Sequence, residues 1–196
     1  MRVTALFIVL FAASAFAEGG WLTARGRLQP EARVEAWGGT NSLGVGLVLP
    51  DAKNRSAALG AEVLYAFRDR VVELRGGRVW QFTANRFATA SVTAGAVAFV
   101  VPAAFDFGLG PHGTLALALG GERFTVDLAL ETGAEFFVHG LVSRFPQRGL
   151  VGLNLRLGSW AISAQGKLGV DLVPSANFIG RGEVIVSLSW FGLERL

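Results

Sequence analysis

The chain has 196 residues, which is enough for one domain and too few for two of ordinary size. Hydrophobic residues make up 52% of the chain and charged residues only 17%, whereas ordinary globular domains carry about 25% charged residues. The formal net charge is +3, no run of like charges occurs, and cysteine is absent. These values argue against nucleic-acid binding and against a disulfide framework, and they indicate apolar surface that faces lipid or is covered by other strands.

Residues 1–17 have the features of a secretory signal peptide. Arg2 supplies the positive start, residues 5–13 form the apolar centre, and Ala15-Phe16-Ala17 is a small-x-small cleavage site. A membrane-anchoring helix is disfavoured because the apolar part is too short to span a bilayer and ends in a processing site. We therefore expect residues 1–17 to be removed and residues 18–196 to form a single β-barrel domain.

Apolar and polar residues alternate with a period of two along most of the mature chain, which is typical of strands with one apolar face. The clearest example is the hairpin predicted over residues 149–172, which turns at Gly158-Ser159. Twelve strands are predicted, over residues 21–28, 32–37, 43–49, 59–67, 71–82, 87–101, 115–119, 124–131, 135–143, 149–157, 160–172 and 184–190.

Three points in this assignment have alternatives. Gly76-Gly77 interrupts the fifth strand, as a bulge or as a break into two strands. Residues 87–105 carry no formal charge and are long enough for a transmembrane helix, although Thr89 and Thr93 alternate as in a strand. Strand counts of eight or ten are therefore alternatives to twelve.

Such a strand series can fold in water, with its apolar face covered, or in a membrane, with its apolar face toward lipid. If each strand reverses direction, four tryptophans fall at one rim of the barrel and Trp80 falls elsewhere. Aromatic side chains at that level suit the membrane interface. The predicted interface aromatics are Trp21, Trp37, Trp160 and Trp190.

In these features the chain resembles the outer-membrane β-barrel proteins of Gram-negative bacteria. The resemblance covers the leader and residues 19–191, and it rests on the pattern of strands rather than on a specific motif. Trp190-Phe191 is similar to the terminal aromatic residue that the barrel-assembly machinery reads in this family, although Gly192 to Leu196 follow it. The resemblance implies an antiparallel up-and-down transmembrane β-barrel in the cell outer membrane, reached by export through the inner membrane. It also implies outer-membrane lipid and the assembly machinery as partners, and the sequence does not indicate an oligomeric state.

The polar side of the predicted strands collects charged residues, which must pair inside a narrow barrel because isolated buried charges are costly. The favoured interpretation is a salt-bridge network that fills the lumen, and the alternative is an ion-conducting path. The predicted network consists of Arg25, Arg33, Glu35, Glu62, Asp127, Glu131, Arg156, Lys167, Asp171 and Glu183.

Catalysis and cofactor binding are not indicated. The two histidines are His112, predicted in a turn, and His139, whose side chain would not reach Ser143 along an extended strand. No clustered metal ligands or nucleotide-binding glycine pattern occur in the sequence, so no metal or cofactor is expected. We therefore expect a non-enzymatic outer-membrane barrel with a structural role or a small passive pore. A soluble exported β-barrel that binds an apolar ligand is the alternative. A charge at Leu153 or Leu155 should be tolerated in neither case, whereas Arg156→Leu should abolish a lumen network only in the membrane case. Leu155→Arg, taken to lie near the membrane midplane, is expected to block membrane insertion at a cost of about 2–4 kcal/mol.

Overall fold

The computed structural model describes residues 32–54, 56–85, 87–121, 123–138, 143–174 and 177–191. The predicted signal peptide and the predicted strand 21–28 lie outside these residues. The strands are β1 Arg33–Gly39, β2 Ser42–Pro50, β3 Ala57–Ala66, β4 Val71–Asn85, β5 Ala88–Val101, β6 Asp106–Gly120, β7 Phe124–Gly133, β8 Phe136–Phe137, β9 Phe145–Leu157, β10 Trp160–Val173 and β11 Asn177–Trp190. One 3-10 turn, Pro102–Ala104, separates β5 from β6.

Ten of these strands form a closed antiparallel barrel. The order around the ring is β1, β2, β3, β4, β5, β6, β7, β9, β10 and β11, and β11 pairs with β1 to complete it. Closure leaves no unpaired edge in this sheet, which is the condition for placing strands in hydrocarbon. The predicted all-β antiparallel barrel is confirmed.

The preferred count of twelve strands is not confirmed, since the ring contains ten. The predicted strand 135–143 is not a separate strand of this ring, because β7 pairs directly with β9. Its residues 139–142 lie outside the described residues. The two-residue strand β8 pairs with β6 in the same register as β7 and so continues β7 beyond Ala134. Gly133 had suggested a turn, but the hydrogen bond from the Ala134 amide to the Pro111 carbonyl keeps the chain on the ladder.

The two ambiguous segments are both regular strands. β4 runs through Gly76-Gly77 without a break, and its register shift lies later, between Thr83 and Asn85. A Cβ atom at Gly95, on the neighbouring strand, would lie 2.2 Å from the Gly76 carbonyl oxygen, so the glycines allow close approach of the two backbones. Residues 88–101 form β5, not a helix. Among the described residues, no helix is long and apolar enough to span a membrane.

The two faces of the barrel have opposite polarity. Outward positions are occupied by exposed aliphatic and aromatic side chains, such as Leu43, Leu115 and Val151. Inward positions carry buried charged, polar and small residues, such as Glu62, Arg148 and Ser163. Arg78 is the single charged residue at an outward strand position in the described part of the chain, and it pairs with Asp51. A soluble barrel that binds an apolar ligand would need the reverse polarity.

The two ends of the barrel are distinguished by the positions of the first and last strands. The terminal rim is the end where β1 begins and β11 ends, and it carries the connections β2–β3, β4–β5, β6–β7 and β9–β10. The distal rim carries the connections β1–β2, β3–β4, β5–β6 and β10–β11. An apolar cluster of Trp37, Leu64, Ala66, Val71, Val97, Phe99 and Ile185 fills part of the lumen between the centre and the distal rim.

Candidate functional site: the charged lumen

Glu131 of β7 is the centre of an ion-pair cluster inside the barrel. Its side chain is buried, with an Oε2–Nζ distance of 2.7 Å to Lys167. Its Oε1 lies 3.1 Å from His112 Nε2, 3.2 Å from Arg148 Nη1 and 3.7 Å from Arg75 Nη1. These partners come from β4, β6, β9 and β10, so one carboxylate joins strands that lie far apart on the ring. Sharing among several cations compensates the cost of burying this charge.

A chain of ion pairs leads from this centre to the distal rim. Arg148 Nη2 lies 3.0 Å from Asp171 Oδ1, and Arg181 Nε donates to Asp171 Oδ2 at 2.8 Å. Arg181 Nη2 then lies 3.1 Å from Asp69, which belongs to the turn between β3 and β4. These pairs therefore connect the β3–β4 turn to the inner wall of β9, β10 and β11.

A second chain begins at Arg75. Its guanidinium lies 2.6 Å from Glu73 and 3.6 Å from Glu62. Arg144 lies 3.5 Å from Glu73 and also pairs with Glu135. Apart from Asp69 at the rim, whose side chain is 24% exposed, the side chains of both chains are almost completely buried and fill this part of the lumen.

The predicted network residues fall into three groups. Glu62, Glu131, Lys167 and Asp171 belong to the cluster just described. Arg33 and Glu35 form a pair on β1, with a distance of 3.9 Å between Arg33 Nε and Glu35 Oε2. Arg25 lies outside the described residues.

The other three predicted residues lie on β11, β7 and β9. Glu183 is buried and accepts a hydrogen bond from Ser42 Oγ at 2.7 Å. Asp127 is buried on β7, nearer the terminal rim. Arg156 lies at the terminal rim, where its Nε donates to the Gly158 carbonyl and its guanidinium lies 4.3 Å from the centre of the Phe191 ring.

Sequence reasoning missed several members of the cluster. Glu73 and Arg75 alternate with the outward Val72 and Leu74, and this signal was lost because the strand seemed broken at the following glycines. His112 was predicted in a turn but lies inside β6. The remaining missed residues are Asp69, Arg144, Arg148 and Arg181, on segments predicted as turns or loops or not assigned, and Glu135, at the start of the predicted strand 135–143.

The predicted interface tryptophans have different positions. Trp160 and Trp190 face outward at the terminal rim, with ring centres 6.5 Å apart. Trp37 instead is buried in the lumen, because it shares the inward side of β1 with Arg33 and Glu35. Trp80 lies toward the terminal rim, since it pairs with Ala57 at the start of β3, and not elsewhere as expected. Trp21 lies outside the described residues.

Outward-facing aromatic side chains, either exposed or half-buried, form a girdle near each rim. Near the terminal rim they are Trp80, Phe82, Phe87, Phe124, Trp160 and Trp190. Near the distal rim they are Tyr65, Phe67, Phe105, Phe107, Phe136, Phe145 and Phe178. Phe105, at the tip of the β5–β6 turn, is 91% exposed. The outward surface between the girdles is aliphatic, which is the arrangement expected at two membrane interfaces.

Polar atoms in another part of the lumen have no hydrogen-bond partner among the described residues. They include Thr125 Oγ1, Asn154 Oδ1 and both amide atoms of Gln165, on β7, β9 and β10. Ala116, Ala129 and Leu150 are buried on the same inner wall. No group of three or more His, Asp or Glu residues within the described ranges is placed to hold a metal ion.

No protein-family model and no curated protein matches the sequence. Among solved structures, the chain is similar to LpxR from Salmonella typhimurium, with 8% identity and a TM-score of 0.42 over 82% of this chain and 99% of that one. It is similar to the KdgM porin, with 9% identity and a TM-score of 0.41 over 82% and 98%. For CdiB from Acinetobacter baumannii the identity is 10% and the TM-score 0.38, over 80% and 34%. These similarities are too distant to indicate a function. The function proposed below is therefore argued from the structure of the barrel alone.

Proposed function

We propose that this chain is an outer-membrane β-barrel protein with a structural role and no enzymatic activity. The observation that supports this most strongly is the aliphatic outer surface bounded by two aromatic girdles. In water this surface would leave an apolar patch all around the molecule, far larger than soluble monomers expose. In a bilayer the same surface meets hydrocarbon, and the aromatic rings meet the headgroups.

Export and assembly follow from the same proposal. Residues 1–17 direct the chain through the inner membrane, and the aromatic end of β11 at Trp190-Phe191 is the segment that the barrel-assembly machinery would read. In bacterial barrels both termini lie on the periplasmic side. The terminal rim is then periplasmic and the distal rim faces outward.

The structural role is favoured by the state of the lumen. Glu131 and its partners bridge the lumen from β4 to β10, and the inward side chains of the described strands are largely buried. A small passive pore is the second candidate. It is favoured by the neutral polar wall around Thr125, Asn154 and Gln165, whose unbonded polar atoms suit contact with water.

Membrane fractionation of the expressed full chain tests the proposal. Recovery in the outer-membrane fraction is expected, with a folded band that shifts on boiling in a detergent gel. Recovery as a soluble protein without detergent would contradict it. Conductance in planar bilayers then separates the two candidates: the closed structural barrel gives no steady current, and the passive pore gives discrete steps.

A further inference from the structure

Arg78 is an exception on the outer surface of the barrel. It is the single charged residue at an outward strand position in the described part of the chain, and its side chain is 41% exposed. It pairs in register with Leu59 on β3 and Ala94 on β5, so its neighbours on the outward side are apolar. A charge at a lipid-facing position costs free energy, and such charges are rare and mark functional positions.

Arg78 lies close to the aromatic girdle of the terminal rim. Trp80, two residues further along β4, pairs with Ala57, the first residue of β3, where the β2–β3 connection ends. The Arg78 Cζ atom lies 5.7 Å from the centre of the Trp80 ring. The guanidinium therefore lies beside a girdle residue, near the level at which the headgroups of a bilayer meet the barrel.

The β2–β3 connection gives the surroundings of Arg78 a net positive charge. Asp51 Oδ2 accepts a hydrogen bond from Arg78 Nη2, and Asp51 Oδ1 accepts one from the backbone amide of Lys53 at 2.8 Å. Lys53 is exposed, so two cations and one carboxylate lie together at this rim. Arg78 Nε has no hydrogen-bond partner among the described residues, so the guanidinium keeps a donor that Asp51 does not satisfy. One monovalent anion would balance the charge.

A depression in the outer surface leads from Arg78 toward the middle of the apolar belt. Ala61, Gly76 and Ala96 pair in one outward row across β3, β4 and β5. This row is two residues from Arg78 along β4, or about 7 Å. A Cβ atom at Gly76 would have no atom nearer than 3.8 Å, so the space above it is open. The neighbouring rows carry larger exposed side chains, which are Leu59, Leu74 and Leu109.

We propose that Arg78 and Lys53 bind the phosphate of an anionic phospholipid, one of whose acyl chains lies in the depression over Gly76 and Ala96. A phosphodiester carries one negative charge, which balances the net charge of the site, and a guanidinium suits phosphate oxygens because it presents several N–H donors. Free phosphate has the same chemistry but nothing to fill the depression. The inference rests on the proposed function, because it requires a barrel in a membrane, and it deepens it by naming a lipid class.

Trp80 reports on the site. The full chain is folded into phosphatidylcholine vesicles that contain a small fraction of brominated phosphatidylglycerol or of brominated phosphatidylcholine, because bromine on an acyl chain quenches nearby indole rings. The contribution of Trp80 is the difference between the parent and Trp80→Phe. Phosphatidylglycerol should be enriched beside Trp80 about fivefold over phosphatidylcholine, the ratio expected for one net basic charge near an anionic lipid. Equal quenching of Trp80 by the two lipids would overturn the proposal.

Two variants and two matched controls locate the effect. Arg78→Gln should remove the excess quenching by phosphatidylglycerol, and Ala96→Leu should reduce it by filling the depression. Arg70→Gln removes an exposed arginine at the opposite rim, and Ala164→Leu adds the same bulk at an outward position of β10, so both should behave as the parent does. Loss of the excess in Arg70→Gln would attribute it to net charge and contradict the site. If Arg78→Gln does not fold, Lys53→Gln, in the exposed connection, decides the matter in the same way.

The other outward tryptophans separate a failure of the site from a failure of the membrane assignment. Trp160 and Trp190 face outward at the same rim, so brominated phosphatidylcholine should quench them in any inserted barrel, Arg78→Gln included. Absence of quenching by either lipid would contradict the membrane location and this proposal with it. Added inorganic phosphate should leave the excess unchanged relative to sodium chloride at the same ionic strength. Its loss in phosphate alone would show a site for a free anion and overturn the lipid assignment.

Discussion

Val151 is the position at which an outward charge should be most costly. It lies at the middle of β9, faces outward and is 58% exposed. If the belt between the girdles faces lipid, Val151→Arg places a guanidinium near the bilayer midplane. The free energy of folding in the membrane should then become less favourable by about 2–4 kcal/mol.

Leu155 provides the internal comparison for this prediction. It lies two residues before the end of β9 and pairs with Phe124 at the terminal rim, so it is not near the midplane as the sequence suggested. Four residues separate it from Val151, or about 13 Å along a strand at about 3.3 Å per residue. For a strand tilted by about 40° this is about 10 Å of depth, close to the edge of an apolar band about 25 Å tall. Leu155→Arg should therefore cost only about 1 kcal/mol or less.

The assay is urea unfolding of each variant in lipid vesicles, followed by the heat-modifiable gel band. Val151→Leu is the control, because it changes size and keeps the position apolar. Val151→Arg should be much less stable than Leu155→Arg, and Val151→Leu should be close to the parent in stability. Equal stability of the two arginine variants would refute the assignment of depth along β9.

Further substitutions test the interior. Glu131→Gln should destabilise the folded barrel by about 3–5 kcal/mol, because it leaves Arg148 and the other buried cations without their shared carboxylate; a loss below 1 kcal/mol in the same urea titration would contradict the role of the cluster. Trp37→Ala should cost about 3–5 kcal/mol, since it empties a large volume inside the lumen, and a surface position for this ring would give a much smaller loss. Gly110→Ala should prevent assembly, because its Cβ would lie 1.6 Å from the carbonyl oxygen of Ala134, between β7 and β8. Gly149→Ala, whose nearest atom is 3.9 Å away, should yield the folded gel band at the level of the parent.

The hairpin of β9 and β10 shows how much local pattern can predict. Its alternation and its Gly158-Ser159 turn are both visible in the sequence, and the strands pair from Leu157 and Trp160 outward from that turn. Gly158 adopts a positive φ of 64°, which glycine allows without strain. Here the strand period and the turn chemistry agree, so neighbouring residues alone specify the structure.

The errors arose where single residues seemed to break a strand. Pro146 suggested a loop over residues 144–148, but it lies within β9 near the distal end. Gly76-Gly77 and Gly133 suggested interruptions, but the neighbouring strands continue the ladder past them. Pairing on both sides of a strand can override a local preference, and single-sequence patterns do not contain the neighbour's contribution.

The ion-pair cluster could be predicted only as a set of inward charges. Glu131 and Arg75 lie on β7 and β4, and β5 and β6 separate these strands on the ring. Their contact therefore crosses the lumen and depends on strand number and closure. Trp37 illustrates the opposite case. The inward direction of its side chain could be predicted from the sequence, because Trp37 lies on the same side of β1 as Arg33 and Glu35. Its assignment to the aromatic girdle considered only its position along the barrel axis.

Spin labelling offers the most direct test of which face of the barrel meets lipid. The chain has no cysteine, so single cysteines can be introduced at Val151, at the inward Gln165 and at the rim residue Phe105 and labelled with a nitroxide. In vesicles, the label at Val151 should collide readily with molecular oxygen and rarely with a water-soluble nickel complex, while the label at Phe105 should be more accessible to nickel. A label at Val151 that is as accessible to nickel as the one at Phe105 would show that the apolar belt is in water and would contradict the membrane assignment.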